Sequence, residues 1–159
     1  MRKRDSQLEP ERRRHYWGVW QGIDSVAHFN KIKARFFSEY GFQSFPEYQS
    51  VLKYAPEERD HNIYSDVMMA HQRGGQVANS RIEKITADEY RKPKDFPSTL
   101  YMSILLQGDA IKTAIEAHRR MMPYNMGSLF WQHNDCWPVA SWSSRDYYGR
   151  WKAQHYFAR

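Results

Sequence analysis

The chain has 159 residues, a formal net charge of +6 and 25 Trp, Tyr and Phe residues, an aromatic share well above what packing alone requires. Its single cysteine, Cys136, excludes an intrachain disulfide and the Cys-rich zinc spacings. No apolar run approaches the ~18 residues of a helical membrane span, and the basic start is not followed by the apolar segment of a signal peptide.

Residues 1–14 hold six Lys or Arg against three acids and so supply half of the net charge. The pattern predicts a basic, solvated and disorder-prone arm over 1–14. Charge alone would make that arm a nucleic-acid binder. The aromatic cluster further on lacks the interleaved Lys and Arg that a single-strand groove needs, so neither nucleic acid nor a membrane is an expected partner.

After the arm comes an aromatic stretch, His15 to Trp20, and then an amphipathic stretch from Val26 to Lys33. Ala34 to Tyr40 reads as a strand ended by Gly41, with Arg35, Phe37 and Glu39 on one face and Phe36, Ser38 and Tyr40 on the other. Two charges on one face suit a barrel strand whose inward side chains turn polar at its active end. A lone strand-end Glu is also an ordinary surface residue, and Arg35 on the same face is a ready ionic partner for Glu39.

Pro46 to Tyr54 has helical spacing. Residues 56–97, with Gly74-Gly75, Pro93 and Pro97, predict a long excursion containing a short helix over Asp66 to Gln72. Ser98 to Met121 is the clearest helix, because Leu100, Ile104, Leu105, Ile111 and Ile115 keep a 3.6-residue period until Pro123 approaches. A second strand is predicted over Met126 to Gln132, an irregular segment over Asn134 to Ser144, and a last helix over Tyr148 to Phe157. Alternating strands and helices indicate parallel βα units. Two strands cannot close a barrel that needs eight strands and ~250 residues. The predicted fold is therefore α/β, a partial (β/α)8 TIM barrel comprising only the last strands and helices.

Four Trp fall within Trp131 to Trp151, interleaved with amide, carboxylate and hydroxyl groups. Sugar rings stack on indoles while their hydroxyls bond to such groups, though the same aromatics would also fill a core. The histidines are too scattered to suggest a metal-ligand set.

The run Arg35-Phe36-Phe37-Ser38-Glu39-Tyr40-Gly41-Phe42-Gln43-Ser44-Phe45-Pro46, with Gly127 to Trp151, resembles the nucleophile strand and final strand of the β-mannosidases of glycoside hydrolase family two. His15 to Trp20 and Ala110 to Arg120 are similar to flanking segments of that family. The resemblance implies that 15–159 are the C-terminal third of a catalytic barrel that follows β-sandwich domains. It implies retaining hydrolysis of terminal β-D-mannose from the non-reducing end of an oligosaccharide or glycoprotein-derived glycan, with no cofactor and no metal. Glu39 matches the nucleophile, Trp131 the tryptophan lining the mannose subsite, and Trp17 an aromatic residue near the same pocket. Asn134 and Asp135 fall in the matching stretch as pocket or loop-fixing residues.

The family's acid/base glutamate follows an asparagine on an earlier strand, and no Asn-Glu pair occurs in these 159 residues. His133 replaces an apolar residue of the pattern, and Gln21 stands where histidine is frequent. A segment of this kind is expected to be inactive alone, and to pack against the rest of a barrel or against itself. The alternative is a non-catalytic carbohydrate-binding or structural remnant of the same barrel.

Overall fold

The computed structural model describes residues 12–22 and 24–159. Most of the basic arm therefore lies outside the described residues. Arg12 and Arg13 are exposed, and Arg14 already belongs to the first strand.

That strand, β1 (Arg14–His15), lies parallel to β2 (Phe37–Glu39), pairing Arg14 with Phe37 and His15 with Glu39 across an irregular step. Tyr16 N–H donates to the Glu39 carbonyl at 2.8 Å, which carries the contact one residue further. On the other side of β2 an extended segment continues the parallel arrangement. Met126 N–H donates to Arg35 O at 3.0 Å, Leu129 N–H to Phe37 O at 2.9 Å and Trp131 N–H to Tyr40 O at 2.7 Å. Three segments thus run side by side with β2 in the middle, although among the described residues only β1 and β2 form a regular sheet. The strand predicted over Met126 to Gln132 reduces to isolated bridges at Ser128 and Trp131.

Between β2 and this segment the chain passes through four helices, α1 (Tyr48–Val51), α2 (Asp66–Ala70), α3 (Val77–Glu89) and α4 (Phe96–Arg120). The 25-residue α4 organises the rest. The Asp95 carboxylate caps it by accepting the Ser98 N–H at 2.8 Å, Pro97 fits the first turn, and Arg119 and Arg120 complement its C-terminal dipole. Leu100, Ile104, Gln107, Ile111, Ala114 and His118 recur every three or four residues and are buried, as an amphipathic helix requires. Leu100, Ile111 and Ala114 share one core cluster with Phe37, Tyr40, Phe42, Phe45, Met68 and Ile82, while His118 stacks on Phe37 and Gln107 bonds to Phe42 O.

Helix α3 has no counterpart in the sequence reading, which left 56–97 as a loop with one short helix. Its inner face explains why: beside Ala78 and Ile82 it buries two polar residues, Asn79 and Thr86, so its apolar stripe is thin. Asn79 is satisfied by donating to Ile63 O at 2.5 Å and accepting from Gln72 Nε2 at 2.5 Å. The last helix, α5 (Ala153–Phe157), is shorter than predicted. Residues 146–150 form a turn instead, closed by Gly149 N–H on Asp146 O at 3.0 Å with Gly149 at φ 86°. No helix among the described residues is long and apolar enough to cross a membrane.

Candidate active site

Glu39 ends β2 and is half-buried, whereas its neighbour Tyr40 points into the core with no exposure. Phe37 on the same face is also fully buried, so the carboxylate is partly open because it stands at the strand's C-terminal end. There Glu39 Oε1 accepts a 2.9 Å hydrogen bond from Trp17 Nε1, 22 residues away in sequence. Arg35, the partner suggested by the strand face, lies instead over the Tyr124 ring at 5.7 Å.

Gly41 explains how the tryptophans reach this carboxylate. A Cβ at that position would sit 2.5 Å from Trp131 O, 2.9 Å from Trp17 Cη2 and 3.0 Å from Trp142 Cδ1. Only a residue without a side chain lets three tryptophans close around the strand two residues beyond Glu39. Trp17 and Trp142 meet edge to face with centroids 6.0 Å apart, and Trp20 backs Trp142 at 6.4 Å. Trp131 remains 44% exposed, an apolar surface open to a ligand. A cis peptide joins it to Gln132.

Trp17, Glu39 and Trp131 are thus neighbours. Asp135 and Asn134 lie further along. Asp135 is a fastener: it accepts Ser141 Oγ at 2.8 Å, Ser143 Oγ at 2.5 Å and Gln132 Nε2 at 3.1 Å. Asn134 is exposed, accepts Gln132 Nε2 on its backbone oxygen at 2.8 Å and pairs with Arg145. With His133, Arg145, Tyr147 and Tyr148 it lines a polar cleft of about 450 Å³.

Several residues that sequence reasoning did not single out support the site. Trp142 was visible only as one aromatic of a cluster. Gln107 of α4 accepts Ser44 Oγ at 2.8 Å and donates to Phe42 O at 2.8 Å and Ser143 O at 3.3 Å, tying the β2 extension to the aromatic segment. Tyr16 donates to Asp24 at 2.5 Å, and burial, reinforced by that carboxylate, pushes its phenol well above the usual range. Lys152 is 1% exposed and donates to Ser141 O at 3.2 Å. Burial brings its ammonium down to about 7 against the opposing pull of Asp135 and Asp146. No group of three or more His, Cys, Asp or Glu among the described residues is arranged to hold a metal ion.

The site is thus a strand-end carboxylate of an α/β segment, held by an indole N–H and flanked two residues on by Trp142 and the Trp131 backbone. Comparison with known proteins narrows this. The chain is 37% identical over 142 residues to the β-mannosidase of Bos taurus and 34% over 139 residues to that of Rattus norvegicus. It is 32% identical over 152 residues to β-mannosidase B of Thermothelomyces thermophilus. The crystal structure of the β-D-mannosidase from Dictyoglomus thermophilum matches 91% of the chain with a TM-score of 0.85 at 36% identity. No family model matches. The chain is a β-mannosidase-like segment, and it spans 16–18% of the length of these relatives.

Proposed function

We propose that this chain supplies the nucleophile and one aromatic wall of the active site of a retaining exo-β-mannosidase. In this reading the three parallel segments are the last part of a (β/α)8 barrel. The observation that supports it most is the Trp17 to Glu39 hydrogen bond of 2.9 Å beside Gly41, where Trp131 and Trp142 converge.

A terminal β-mannosyl ring stacks on the exposed face of Trp131, with its anomeric carbon toward Glu39. Held through Oε1, the carboxylate attacks that carbon through its other oxygen. The bond from C1 to the leaving oxygen breaks as an acid protonates that oxygen, and a glycosyl ester forms on Glu39. Water, deprotonated by the same group, then releases mannose with retained configuration and regenerates the carboxylate.

The second carboxyl must lie roughly 5–5.5 Å from the nucleophile. Asp135 is engaged by two serines and a glutamine, and Glu47 faces Arg150 at 3.8 Å. We assign the acid/base to a part of the enzyme outside these 159 residues, which makes the segment inactive alone. Exposed Met126, Leu129 and Tyr101 are then covered by the remainder of the barrel.

The test is release of nitrophenol from aryl β-mannoside and β-galactoside. The 159-residue chain releases none, and a longer enzyme containing it prefers the mannoside. Replacement of Glu39 by Ala lowers that rate about 1,000-fold or more. Hydrolysis by the chain alone that depends on Glu39 would contradict the assignment of the acid.

A further inference from the structure

The segment from Trp131 to Trp151 is almost free of regular structure, yet it carries four tryptophans and one wall of the site. Its shape depends on side-chain fasteners. Asp135 gathers Gln132, Ser141 and Ser143, as described above. Asp146, 4% exposed, accepts Ser50 Oγ of α1 at 2.5 Å and Arg150 N–H at 2.9 Å. Both carboxylates act on one buried cation, Lys152, whose ammonium donates to Ser141 O and whose backbone N–H donates to Ser144 O at 2.9 Å. Ser141 is thus held from two sides, its hydroxyl by Asp135 and its carbonyl by Lys152, and the next residue is Trp142.

We propose that Lys152 is a positioning residue for the site, its ammonium holding the Ser141 carbonyl while Asp135 holds the Ser141 hydroxyl, thereby setting Trp142 against Gly41. A buried ammonium is costly without hydrogen-bond acceptors, and loss of its charge weakens its bond to Ser141 O. The charged groups acting on Lys152 are Asp135 and Asp146, while Arg150 on the same turn is directed to Glu47 and Ser50. With the amine brought down to about 7, the clamp loosens on going from mildly acidic to mildly alkaline solution. The inference rests on the proposed sugar site for its functional meaning, but the clamp itself is independent of any ligand.

The experiment follows acrylamide quenching of tryptophan fluorescence and binding of nitrophenyl β-mannoside by the whole chain between pH 5.5 and 9. A Trp131→Phe variant identifies the Trp131 signal, and urea unfolding controls for the fold. In the unaltered chain, quenching rises with pH and affinity falls about tenfold, the equivalent of one pKa unit between free and occupied states. Lys152→Met shows the high-pH quenching and weak affinity at every pH, whereas Lys152→Arg keeps the low-pH behaviour throughout. Retention of the pH dependence in Lys152→Met would overturn the proposal, as would flat quenching in the unaltered chain. If Lys152→Met fails to fold, the Lys152→Met, Asp135→Asn double variant takes its place, with the half-buried Asp135 carboxylate neutralised. Strong pH-independent quenching in it supports the clamp, and pH-dependent quenching overturns it. Absence of mannoside binding by the chain at any pH, together with quenching that follows Lys152, leaves the clamp standing, and the sugar site is refuted if a longer enzyme containing the chain also binds none.

Discussion

From sequence, Glu39 could be singled out only by the resemblance of its strand to a family pattern, since a lone strand-end Glu is also an ordinary surface residue. Its partner could not. Arg35 shares the strand face, but the hydrogen bond comes from Trp17, brought close by the pairing of β1 with β2. Substitution of Trp17 by Phe keeps the ring and removes only the N–H. A hydrogen bond to a charged group contributes about 1.5–3 kcal/mol, so kcat/KM of a longer mannosidase containing this chain falls roughly 10- to 100-fold while its melting temperature changes little. Comparison of kinetics with thermal unfolding checks both halves of that expectation.

A second residue, His118, makes a statement about stability. It is 1% exposed, stacks on Phe37 at 3.6 Å and shares a 2.8 Å hydrogen bond with Ser128 Oγ. Burial lowers its pKa from 6.5 to about 4. The unfolded chain therefore binds the proton more readily than the folded one between those values. The stability conferred by neutral His118 is fully present above pH 6.5 and is lost as pH falls from 6.5 towards 4. His118→Gln flattens that part of the profile in urea titrations at stepped pH; an unchanged slope would show that another group carries it.

Among the elements, α4 was legible because its burial pattern is apolar and periodic over seven turns. Helix α3 was not, since Asn79 and Thr86 face inward, and only the tertiary partners Ile63 and Gln72 make Asn79 acceptable there. The segment after α4 reads as a strand but adopts only isolated bridges, because its hydrogen bonds to Arg35, Phe37 and Tyr40 lack the continuity of a ladder. Its next stretch is organised by Asp135, Asp146 and Lys152, which no local pattern reveals. Gln107 joins these elements. Gln107→Leu leaves the Ser44 hydroxyl and the Phe42 and Ser143 carbonyls without this partner. A cost of about 1–3 kcal/mol in unfolding free energy follows, measurable by urea titration.

At the scale of the molecule, residues from three widely separated stretches, 14–20, 37–42 and 126–152, are brought to one face by parallel pairing around β2. The sequence pattern indicated βα units because alternation and helical period change over along the chain. It could not give the order of the three segments, which depends on contacts more than 20 residues apart. The relatives similar in sequence are named β-mannosidases, and the chain covers less than a fifth of their length. The central claim is that Glu39 is the nucleophile of such an enzyme. Its most direct test is an azide-rescue experiment on Glu39→Ala in a longer enzyme that contains this segment and hydrolyses aryl β-mannoside. The variant is inactive in water, and added azide, entering the space left by the carboxylate, displaces the aryl group to give an α-mannosyl azide. A variant that still hydrolyses the mannoside at the unaltered rate, or one whose azide product has the β configuration, would contradict the claim.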